Sequence, residues 1–394
     1  MKSILFVINS LTIGGSEKSL VSLLNMMDYS KFNVDLLMLK KGEEFDKYIP
    51  KEVNILDIPE YYKFLNDSKM IKSRVSKVKY TLCRYKSSFD LRINSIKKEK
   101  INNQQIFYKN QKNILKRLEK KYDVAIAYAQ GFPTYFVADK VQASKKLAWI
   151  NCDYKNTLYN KYLDKAFYKK FNKIIAVSDA CKESIIQVDS SYKDKIEIIK
   201  DIVNPNLILN MANEKVEKLN DDCLKILTVA RLVIHHKGYD VAIKAARLLM
   251  ENNIKFKWYV IGDGVDREII KKLIKENNLT DNFILLGSRG NPYPYMKKCD
   301  IYVQPSRYEG FGLTVIEAKI LKKLIICSNF NTVNELIENE VSGIIAGMSE
   351  IDLYNAINRI INDKELSTQI LNNLKSELAY NSTEEIKKIY NEIE

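Results

Sequence analysis

Apolar residues fall into short runs that alternate with amphipathic stretches along most of the chain. After an apolar run at 3–8, for example, apolar side chains recur every three or four residues from 16 to 27. The run predicts a buried strand, and the recurrence predicts an amphipathic helix. Further strands are predicted at 34–39, 53–58, 124–129, 147–151, 174–178, 196–202, 224–230, 283–287, 300–304, 324–328 and 343–346, and further helices at 351–362, 364–379 and 383–393.

This alternation divides the chain into two similar halves. The Asn204-Pro205-Asn206 stretch interrupts the pattern, and the polar run 213–222 predicts a linker. Strands that alternate with helices are typical of parallel, doubly wound sheets. We therefore expect an α/β protein with one Rossmann-like domain at 1–205, a second at 206–380 and a terminal helix at 381–394.

The formal net charge of +14 is concentrated in one basic segment, 61–121, which holds 18 basic and four acidic residues. The rest of the chain has equal numbers of both kinds. Such a block indicates an anionic partner more than it indicates a fold. We expect that partner to be an anionic membrane surface.

An apolar stripe runs through the same segment in steps of three or four residues. Its members are Ile71, Val75, Val78, Leu82, Tyr85, Phe89, Ile93 and Ile96. Basic side chains occupy the other faces of the predicted helix or helical hairpin. We expect the stripe to pack on the sheet, as the apolar face of a surface helix normally does.

The cysteines and the first apolar run bear on the compartment. The six cysteines are widely spaced and form no C-x-x-C pair, which argues against a zinc site and disulfides and fits a reducing cytosol. Asn9 and Ser10 interrupt the first apolar run, which favours a strand over a signal peptide. No run approaches the roughly 20 apolar residues that span a bilayer. We expect a soluble or peripheral protein.

The clearest candidate chemistry lies at 300–318. A predicted strand ends before Pro305, and a loop with Gly310 and Gly312 leads into a helix predicted to begin near Leu313. Free N–H groups at the start of a helix bind anions, which predicts a phosphate site. Glu309 and Glu317 lie eight residues apart, and ionised carboxylates accept hydrogen bonds from hydroxyls. Phosphate and hydroxyls together indicate a sugar nucleotide.

Two cations and a glycine pair support this interpretation. Arg231 and Lys237 flank one loop after the predicted strand 224–230. The next apolar run ends at Gly262-Asp263-Gly264, which is a weak phosphate-loop signal when taken alone.

The pattern E-G-F-G-L-T-V-I-E at 309–317, preceded by Q-P-S at 304–306, resembles the signature of the retaining glycosyltransferases of family 4, which have the GT-B fold. The R-L-V-I-H-H-K-G pattern at 231–238 is similar to the phosphate loop of that family, with one additional residue. The resemblance covers chiefly the second half of the chain. It implies two Rossmann-like domains that face a central cleft, with the last helix crossing back to the first domain.

By this resemblance, Arg231 and Lys237 hold the donor diphosphate and Glu309 holds the sugar, so that these three residues are the catalytic candidates. Glu317 would bind the ribose, and Arg289 would meet the base. The full donor-binding set is Gly15, Arg231, Lys237, Gly262, Arg289, Glu309, Gly310, Phe311, Gly312, Leu313, Thr314 and Glu317. We expect no metal and no cofactor besides the donor substrate.

The acceptor side departs from the family pattern. Many members have a histidine in the first domain, whereas the only two histidines here, His235 and His236, lie in the phosphate loop. Either one is better explained as a solvated loop residue. Because strand ends of doubly wound sheets face the ligand, the candidates for sugar or acceptor contacts are Gly14, Gln130, Asn151 and Asp153.

The resemblance implies retaining transfer of a hexose from a nucleotide-sugar donor, with UDP as the first choice of nucleotide, to a lipid-linked or glycan acceptor in cell-surface polysaccharide synthesis. The protein would be cytoplasmic and peripheral on the inner face of the cell membrane. Alternatives are a sugar-nucleotide epimerase of the same fold, which the lack of histidine in the first domain disfavours, and a non-catalytic membrane-surface binding protein. A nucleic-acid partner is not expected, because aromatic platforms and recognised motifs are absent.

Overall fold

The chain folds into two compact units. The structure, a computed structural model, describes residues 1–12, 14–216, 219, 222–309, 311–377 and 382–394. The first unit comprises Met1–Ile202 and Thr383–Glu394, and the second comprises Val203–Ser382. Each unit is built on a parallel β-sheet with helices packed against it.

The elements follow one another in regular alternation. The strands are β1 (Lys2–Ile8), β2 (Phe32–Met38), β3 (Asn54–Ile55), β4 (Lys121–Ala127), β5 (Gln142–Ile150), β6 (Lys173–Ala176), β7 (Ile196–Ile198), β8 (Leu224–Val229), β9 (Phe256–Ile261), β10 (Phe283–Gly287), β11 (Ile301–Gln304), β12 (Leu324–Ser328) and β13 (Ile344–Ala346). The helices are α1 (Gly15–Leu24), α2 (Glu60–Asn66), α3 (Arg74–Ile96), α4 (Asn103–Gln111), α5 (Phe132–Lys140), α6 (Lys161–Tyr168), α7 (Asp179–Val188), α8 (Pro205–Met211), α9 (Ile234–Lys237), α10 (Tyr239–Glu251), α11 (Arg267–Glu276), α12 (Tyr293–Lys298), α13 (Leu313–Ile320), α14 (Glu350–Asn362), α15 (Lys364–Ser376) and α16 (Thr383–Ile393).

The two sheets share one topology. The strand order is β3-β2-β1-β4-β5-β6-β7 in the first and β10-β9-β8-β11-β12-β13 in the second. The order reverses between β1 and β4, and again between β8 and β11. In doubly wound sheets, ligands bind beyond the carboxyl ends of the strands at such a reversal. Each unit therefore has one favoured place for a ligand.

The central strands form the core of each unit. Residues 4–7 of β1 have no exposed surface, because helices cover both faces of a parallel sheet. In the second unit, the buried Trp258 ring packs 5.3 Å from that of Phe283, and its Nε1 donates a hydrogen bond of 3.0 Å to Thr228. The apolar runs in the sequence are these strands.

Helix α16 belongs to the first unit. Its residues Ile386, Ile389 and Ile393 are buried. The ring of Tyr390 packs edge-on against Phe32, at 5.2 Å between centroids, and its hydroxyl accepts a 2.8 Å hydrogen bond from the Asp28 amide. The end of the chain thus closes over the first sheet.

Most of the predicted elements are present, with shifted ends. The predicted strand 53–58 is reduced to Asn54–Ile55, because β3 is an edge strand that pairs only with β2. The predicted strand 196–202 ends at Ile198. Residues 378 and 379 of the predicted helix 364–379, and residues 217, 218, 220 and 221 of the predicted linker, lie outside the described residues.

Helix α3 corrects the prediction for the apolar stripe. The stripe was expected to pack on the sheet, but Val75 is 79% and Leu82 65% exposed. The packed face instead carries Tyr80, Cys83, Ser87 and Asn94, all of which are buried. Hydrogen bonds to neighbouring elements hold that face, so most of the apolar stripe points outward. The exceptions are Ile71, which precedes α3 and is buried, and Ile93, which is half-buried. Within the described part of the chain, no helix combines the length and apolarity that crossing a membrane requires.

Candidate functional site

The candidate site of the second unit lies at the reversal between β8 and β11, where Ile301 of β11 pairs with Ile226 of β8. The segment between β8 and α10 carries Arg231 in its loop and Lys237 at the end of the short helix α9, and the loop after β11 carries Glu309. Because the strands are parallel neighbours, both loops leave the same edge of the sheet.

Glu309 is the centre of a compact hydrogen-bond network. Its Oε1 accepts hydrogen bonds from Lys237 Nζ at 2.7 Å, Gln304 Nε2 at 2.7 Å and Ser306 Oγ at 2.6 Å. Of the residues that the structure describes, none donates a hydrogen bond to Oε2. The carboxylate is therefore anchored through one oxygen, and the other remains available to a ligand.

Gln304 connects this network to the start of α13. It is buried as the last residue of β11, and its Oε1 accepts hydrogen bonds from the hydroxyls of Tyr302 and Thr314. Sequence reasoning gave Gln304 and Ser306 no role. A signal was present, however, because a polar residue that ends a buried strand needs hydrogen-bond partners.

The loop that carries Lys237 is pressed against the loop after β11. Gly238 has a φ of 64°, and a Cβ at this position would lie 1.9 Å from the Pro305 carbonyl oxygen. Only glycine permits this approach without strain. The contact places Lys237 beside Glu309.

A second ion pair joins the same two loops. Arg307 donates from Nη1 and Nη2 to the two carboxylate oxygens of Asp240, at 2.9 and 2.7 Å. Its backbone amide also donates to the His236 carbonyl at 2.8 Å. Burial alone would raise the pKa of Asp240, but the hydrogen bonds and charge of Arg307 outweigh it, so that the pKa lies below its ordinary value. Neither residue was predicted from the sequence.

Arg231 is exposed next to the loop that follows β9. No hydrogen-bond or ion-pair partner of its guanidinium is found among the described residues. A Cβ on Gly262 would lie 2.0 Å from the Ala230 carbonyl oxygen, and one on Gly264 would lie 2.4 Å from that of Leu232. The glycine pair thus lets two loops pack closely. A contact of Gly262 with the donor stays a prediction.

The remaining donor candidates lie along α13 and the loop after β10. Helix α13 begins at Leu313, as predicted, with Gly312 as its N-cap residue and Phe311 half-buried before it. Glu317 is 2% exposed, and its Oε1 accepts a 2.9 Å hydrogen bond from the Tyr293 hydroxyl. Arg289 is half-buried after β10. Gly310 lies outside the described residues. The ribose role of Glu317 and the base role of Arg289 stay predictions.

The structure brings some, but not all, of the acceptor candidates of the first unit to one edge of the sheet. Gln130, after β4, donates from Nε2 to Cys152 Sγ at 3.0 Å, and Asn151, after β5, donates from Nδ2 to the Tyr128 carbonyl at 3.2 Å. The Oδ1 atom of Asn151 is buried and has no hydrogen-bond partner in the described part of the chain. Asp153 instead accepts from the backbone and side chain of Asn156. Gln130 and Asn151 thus lie on one edge, and Asp153 is engaged locally.

A buried polar cluster lies at the reversal of the first sheet. Gly14 and Gly15 begin α1, and the Glu17 carboxylate lies directly over Gly14. Ser19 Oγ lies 3.0 Å from the Tyr128 hydroxyl and accepts from the Ile202 amide at 2.8 Å.

Two carboxyl groups of this region have raised pKa values. Burial raises the pKa of Asp201 to about 7, and the charge of Glu17 adds to the effect. Burial also raises the pKa of Glu17. Neither acid was predicted, because burial cannot be read from the local sequence.

The two histidines lie on the surface of the short helix α9. Their rings are 5.5 Å apart, and the ring of Tyr308 lies 6.3 Å from His235 and 5.9 Å from His236. Both histidines are exposed. A search of the described residues for groups of three or more His, Cys, Asp or Glu able to hold a metal ion finds none.

Residues 211–377 match the sequence model of the family described as glycosyl transferases group 1. This part of the chain is similar to the group 1 glycosyltransferases. The matched region contains the motifs at 231–238 and 309–317, so their resemblance to glycosyltransferase sequences is confirmed at the level of group 1. Assignment to family 4 and retention stay predictions.

Two curated proteins are similar in sequence to part of this chain. A Campylobacter jejuni protein, N-acetylgalactosamine-N,N'-diacetylbacillosaminyl-diphospho-undecaprenol 4-alpha-N-acetylgalactosaminyltransferase, is 29% identical over 227 residues, which cover 56% of this chain and 59% of the relative. An Escherichia coli protein, UDP-Gal:alpha-D-GlcNAc-diphosphoundecaprenol alpha-1,3-galactosyltransferase, is 33% identical over 128 residues, which cover 32% of this chain and 33% of the relative. The chain thus matches little more than half of the first relative and a third of the second.

A solved structure extends the likeness to the whole chain. Anabaena Alr3699/HepE, in its complex with UDP-glucose, matches 99% of this chain and 99% of its own with a TM-score of 0.66 and 15% identity. At this identity the likeness concerns the fold alone. Together with the strand orders, it confirms the predicted class of two Rossmann-like α/β domains, as in GT-B glycosyltransferases.

Proposed function

We propose that the protein transfers a sugar from a UDP-sugar to a lipid-linked or glycan acceptor in cell-surface polysaccharide synthesis, with retention of the anomeric configuration. The observation that carries the proposal is the joining of Lys237 to Glu309 at the strand-order reversal of the second sheet. This pairing brings a cation suited to phosphate next to an acid suited to sugar hydroxyls. The names of the two relatives, which specify undecaprenol-diphosphate-linked acceptors and in one case UDP-Gal, support the choice of substrates.

The cations of the site would stabilise the departing nucleoside diphosphate. An ammonium group has three hydrogen-bond donors, and Glu309 accepts from Lys237, which leaves donors for phosphate oxygens. The exposed Arg231 presents the planar fork that matches phosphate geometry. The N-terminal end of α13 adds a positive partial charge. Preorganised positive charge of this kind lowers the barrier to loss of an anionic leaving group.

The sugar would be held by the free oxygen of Glu309. Because Oε1 is fixed by three donors, Oε2 has a defined position from which it can accept a hydroxyl or steady the positive sugar ring. Attack by the acceptor hydroxyl on the face from which the phosphate leaves would retain the configuration. The departing phosphate would then take the proton of the acceptor hydroxyl, so that the protein needs no separate base.

Further parts of the proposal concern the metal, the acceptor and the membrane. Arg231, Lys237 and the α13 terminus would supply the positive charge without a metal ion, and full activity in excess EDTA would test this.

The buried Oδ1 of Asn151 is suited to accept a hydrogen bond from an acceptor hydroxyl. The basic segment 61–121 would hold the protein on the anionic inner face of the cell membrane, where lipid-linked acceptors are found.

The proposal is tested by ligand-induced stabilisation. A nucleotide that binds the folded protein raises its melting temperature. We expect a UDP-sugar, and not GDP- or ADP-sugars, to do so in the wild type, with a smaller rise for Arg231→Ala. If no nucleotide sugar changes the melting temperature, the proposal is wrong. Conversion of the UDP-sugar to its epimer without transfer would favour the epimerase alternative.

A further inference from the structure

Helix α3 presents an outward apolar row that nothing in the described part of the first unit covers. We define this row as Val75, Val78, Leu82, Tyr85, Phe89 and Ile96, whose exposed fractions lie between 63% and 84%. Large apolar side chains in one continuous row are uncommon on a protein surface and usually mark an interaction site.

The opposite face of α3 fixes this orientation with specific hydrogen bonds. Asn94 donates from Nδ2 to the Ile101 carbonyl at 2.8 Å and accepts from the Ile101 amide at 3.0 Å. The Tyr80 hydroxyl donates to Glu60 at 3.1 Å, and Cys83 Sγ lies 3.5 Å from the Asn110 carbonyl oxygen. Turning the helix to bury the apolar row would break all of these contacts. The hydrogen bonds therefore fix the outward orientation of the row.

Cations border the outward apolar row on both sides. With about 100° of rotation per residue, Lys79 and Lys86 fall on one side of the row. Arg74, Lys77, Arg84 and Arg92 fall on the other side. The only acid of the helix, Asp90, accepts a 2.9 Å hydrogen bond from Asn110 on α4. An apolar row between two basic borders is the pattern of a helix that lies in the surface of a membrane.

We propose that the outward apolar row of α3 inserts into the surface of an anionic lipid bilayer, with the bordering cations on the lipid phosphates. The inference rests on the proposed membrane location and adds that this one helix face binds by insertion and not by charge alone. A second copy of the chain is a poor occupant, because two copies of α3 would bring like charges together along both borders.

Vesicle co-sedimentation of the full chain tests the inference. We expect the wild type to pellet with vesicles of phosphatidylglycerol and phosphatidylcholine at low salt, and to keep part of this binding at raised salt, where screening weakens charge attraction. The triple variant Leu82→Ser, Tyr85→Ser and Phe89→Ser keeps every cation, and its partitioning should fall at least about 10-fold.

A matched control changes three exposed apolar residues of the second unit, Val341→Ser, Met348→Ser and Ile351→Ser. This control should bind vesicles as the wild type does. Equal binding by the wild type and the α3 variant would overturn the inference, and so would a wild type that does not bind at all. A wild-type dimer that the α3 variant abolishes would identify a second copy as the occupant and would overturn it as well.

Insertion has its own optical signature. In Phe89→Trp, the new indole should be quenched by lipids brominated on their acyl chains, whereas the native Trp149 and Trp258 are buried and should not respond. An unquenched indole would mean adsorption by charge alone and would contradict insertion. The rise in melting temperature that the UDP-sugar causes should be the same in the α3 variant as in the wild type. Loss of vesicle binding without loss of this rise would separate the membrane inference from the proposed donor site.

Discussion

At the scale of single residues, the proposed donor site combines one engaged cation with one free cation. Lys237 and Glu309 form an ion pair at 2.7 Å with side chains only 15% and 11% exposed, so removing one partner leaves a poorly solvated charge behind. Arg231 is exposed and pairs with no described residue, so its removal should leave the fold unchanged. The two cations therefore separate a catalytic effect from a structural one.

We predict that Arg231→Ala and Lys237→Ala each slow transfer by about 10²-fold or more, which corresponds to about 3 kcal/mol at the transition state. Only Lys237→Ala should also lower the melting temperature. Steady-state kinetics and thermal unfolding measure both effects, with the exposed Lys244→Ala on α10 as the charge-matched control. Near-normal turnover of either variant would exclude its role on the phosphate.

Asp201 makes the stability of the first unit depend on pH. Its pKa is raised from 3.8 to about 7, mainly by burial. Between these values the folded state keeps a proton that the unfolded state releases, so this contribution is complete below about pH 4 and is lost as the pH rises through 7. We predict that Asp201→Asn removes this pH dependence and is more stable than the wild type at pH 8. Urea unfolding at pH 5 and pH 8 tests this, and parallel losses of stability in both proteins would contradict it.

The sequence allows candidate site residues to be predicted where they follow from loop chemistry. These candidates lie between the end of a strand and the next long helix, where a motif and its charged residues can be recognised from the sequence alone. They are Arg231, Lys237 and Glu309. Gln304 and Asp201 escaped prediction because their importance comes from burial beside residues distant in sequence. The interaction of Glu317 with Tyr293 escaped for the same reason.

At the scale of elements, the proposed donor site depends on the relative position of two segments, the one between β8 and α10 and the one after β11. Arg307 binds the Asp240 carboxylate through both terminal nitrogens, and its backbone amide binds the His236 carbonyl. Asp240 lies in the first turn of α10, directly after the loop that carries Lys237. The ion pair therefore sets the distance between the phosphate loop and the loop that carries Glu309.

We predict that Arg307→Ala lowers kcat by about 10- to 100-fold, because a displacement of about 1 Å at reacting groups has effects of this size. Arg307→Lys keeps the charge but not the two parallel hydrogen bonds, and it should fall in between. The double variant with Asp240→Asn should be no worse than Arg307→Ala, since one contact is removed twice. An unchanged kcat in Arg307→Ala would show that the loops hold their register without this pair.

Helix α3 shows that a sequence pattern predicts which residues share a helix face, but not which face packs against the protein. The spacing of the stripe correctly identified residues that share one face of a helix, because periodicity is a property of the chain itself. Which face meets the protein depends on the partner, and here the partners of Asn94, Tyr80 and Cys83 decided it. The strand ends were likewise shifted by a few residues because pairing with neighbours, rather than local apolarity, determines where a strand stops.

At the scale of the whole molecule, two sheets of the same topology are built from one pattern of buried strands, which is why the fold class was predictable. Helix α16 adds to the stability of the first unit through contacts with residues that are distant in the sequence. Ile389 is fully buried, and Tyr390 beside it packs on Phe32 of β2. Residues that are far apart in the sequence therefore stabilise one unit.

We predict that Ile389→Ala destabilises the first unit by about 2–5 kcal/mol, the usual cost of truncating a buried isoleucine. The affinity of the folded protein for UDP should not change, because the proposed donor site lies in the second unit. Calorimetry and a UDP titration measure the two quantities, with the exposed Lys387→Ala on α16 as the control. A melting curve identical to that of the wild type would contradict the contribution of α16.

The central claim is that a nucleoside-diphosphate sugar bound beyond β8 and β11 donates its sugar to an acceptor. The most direct measurement is the release of UDP from a UDP-sugar by the full chain, with and without an undecaprenyl-diphosphate-linked sugar. We predict release that depends on the acceptor, yields a product with the anomeric configuration of the donor, and falls about 10²-fold in Arg231→Ala. Release that is equal with and without acceptor, or equal in Arg231→Ala and the wild type, would contradict the account.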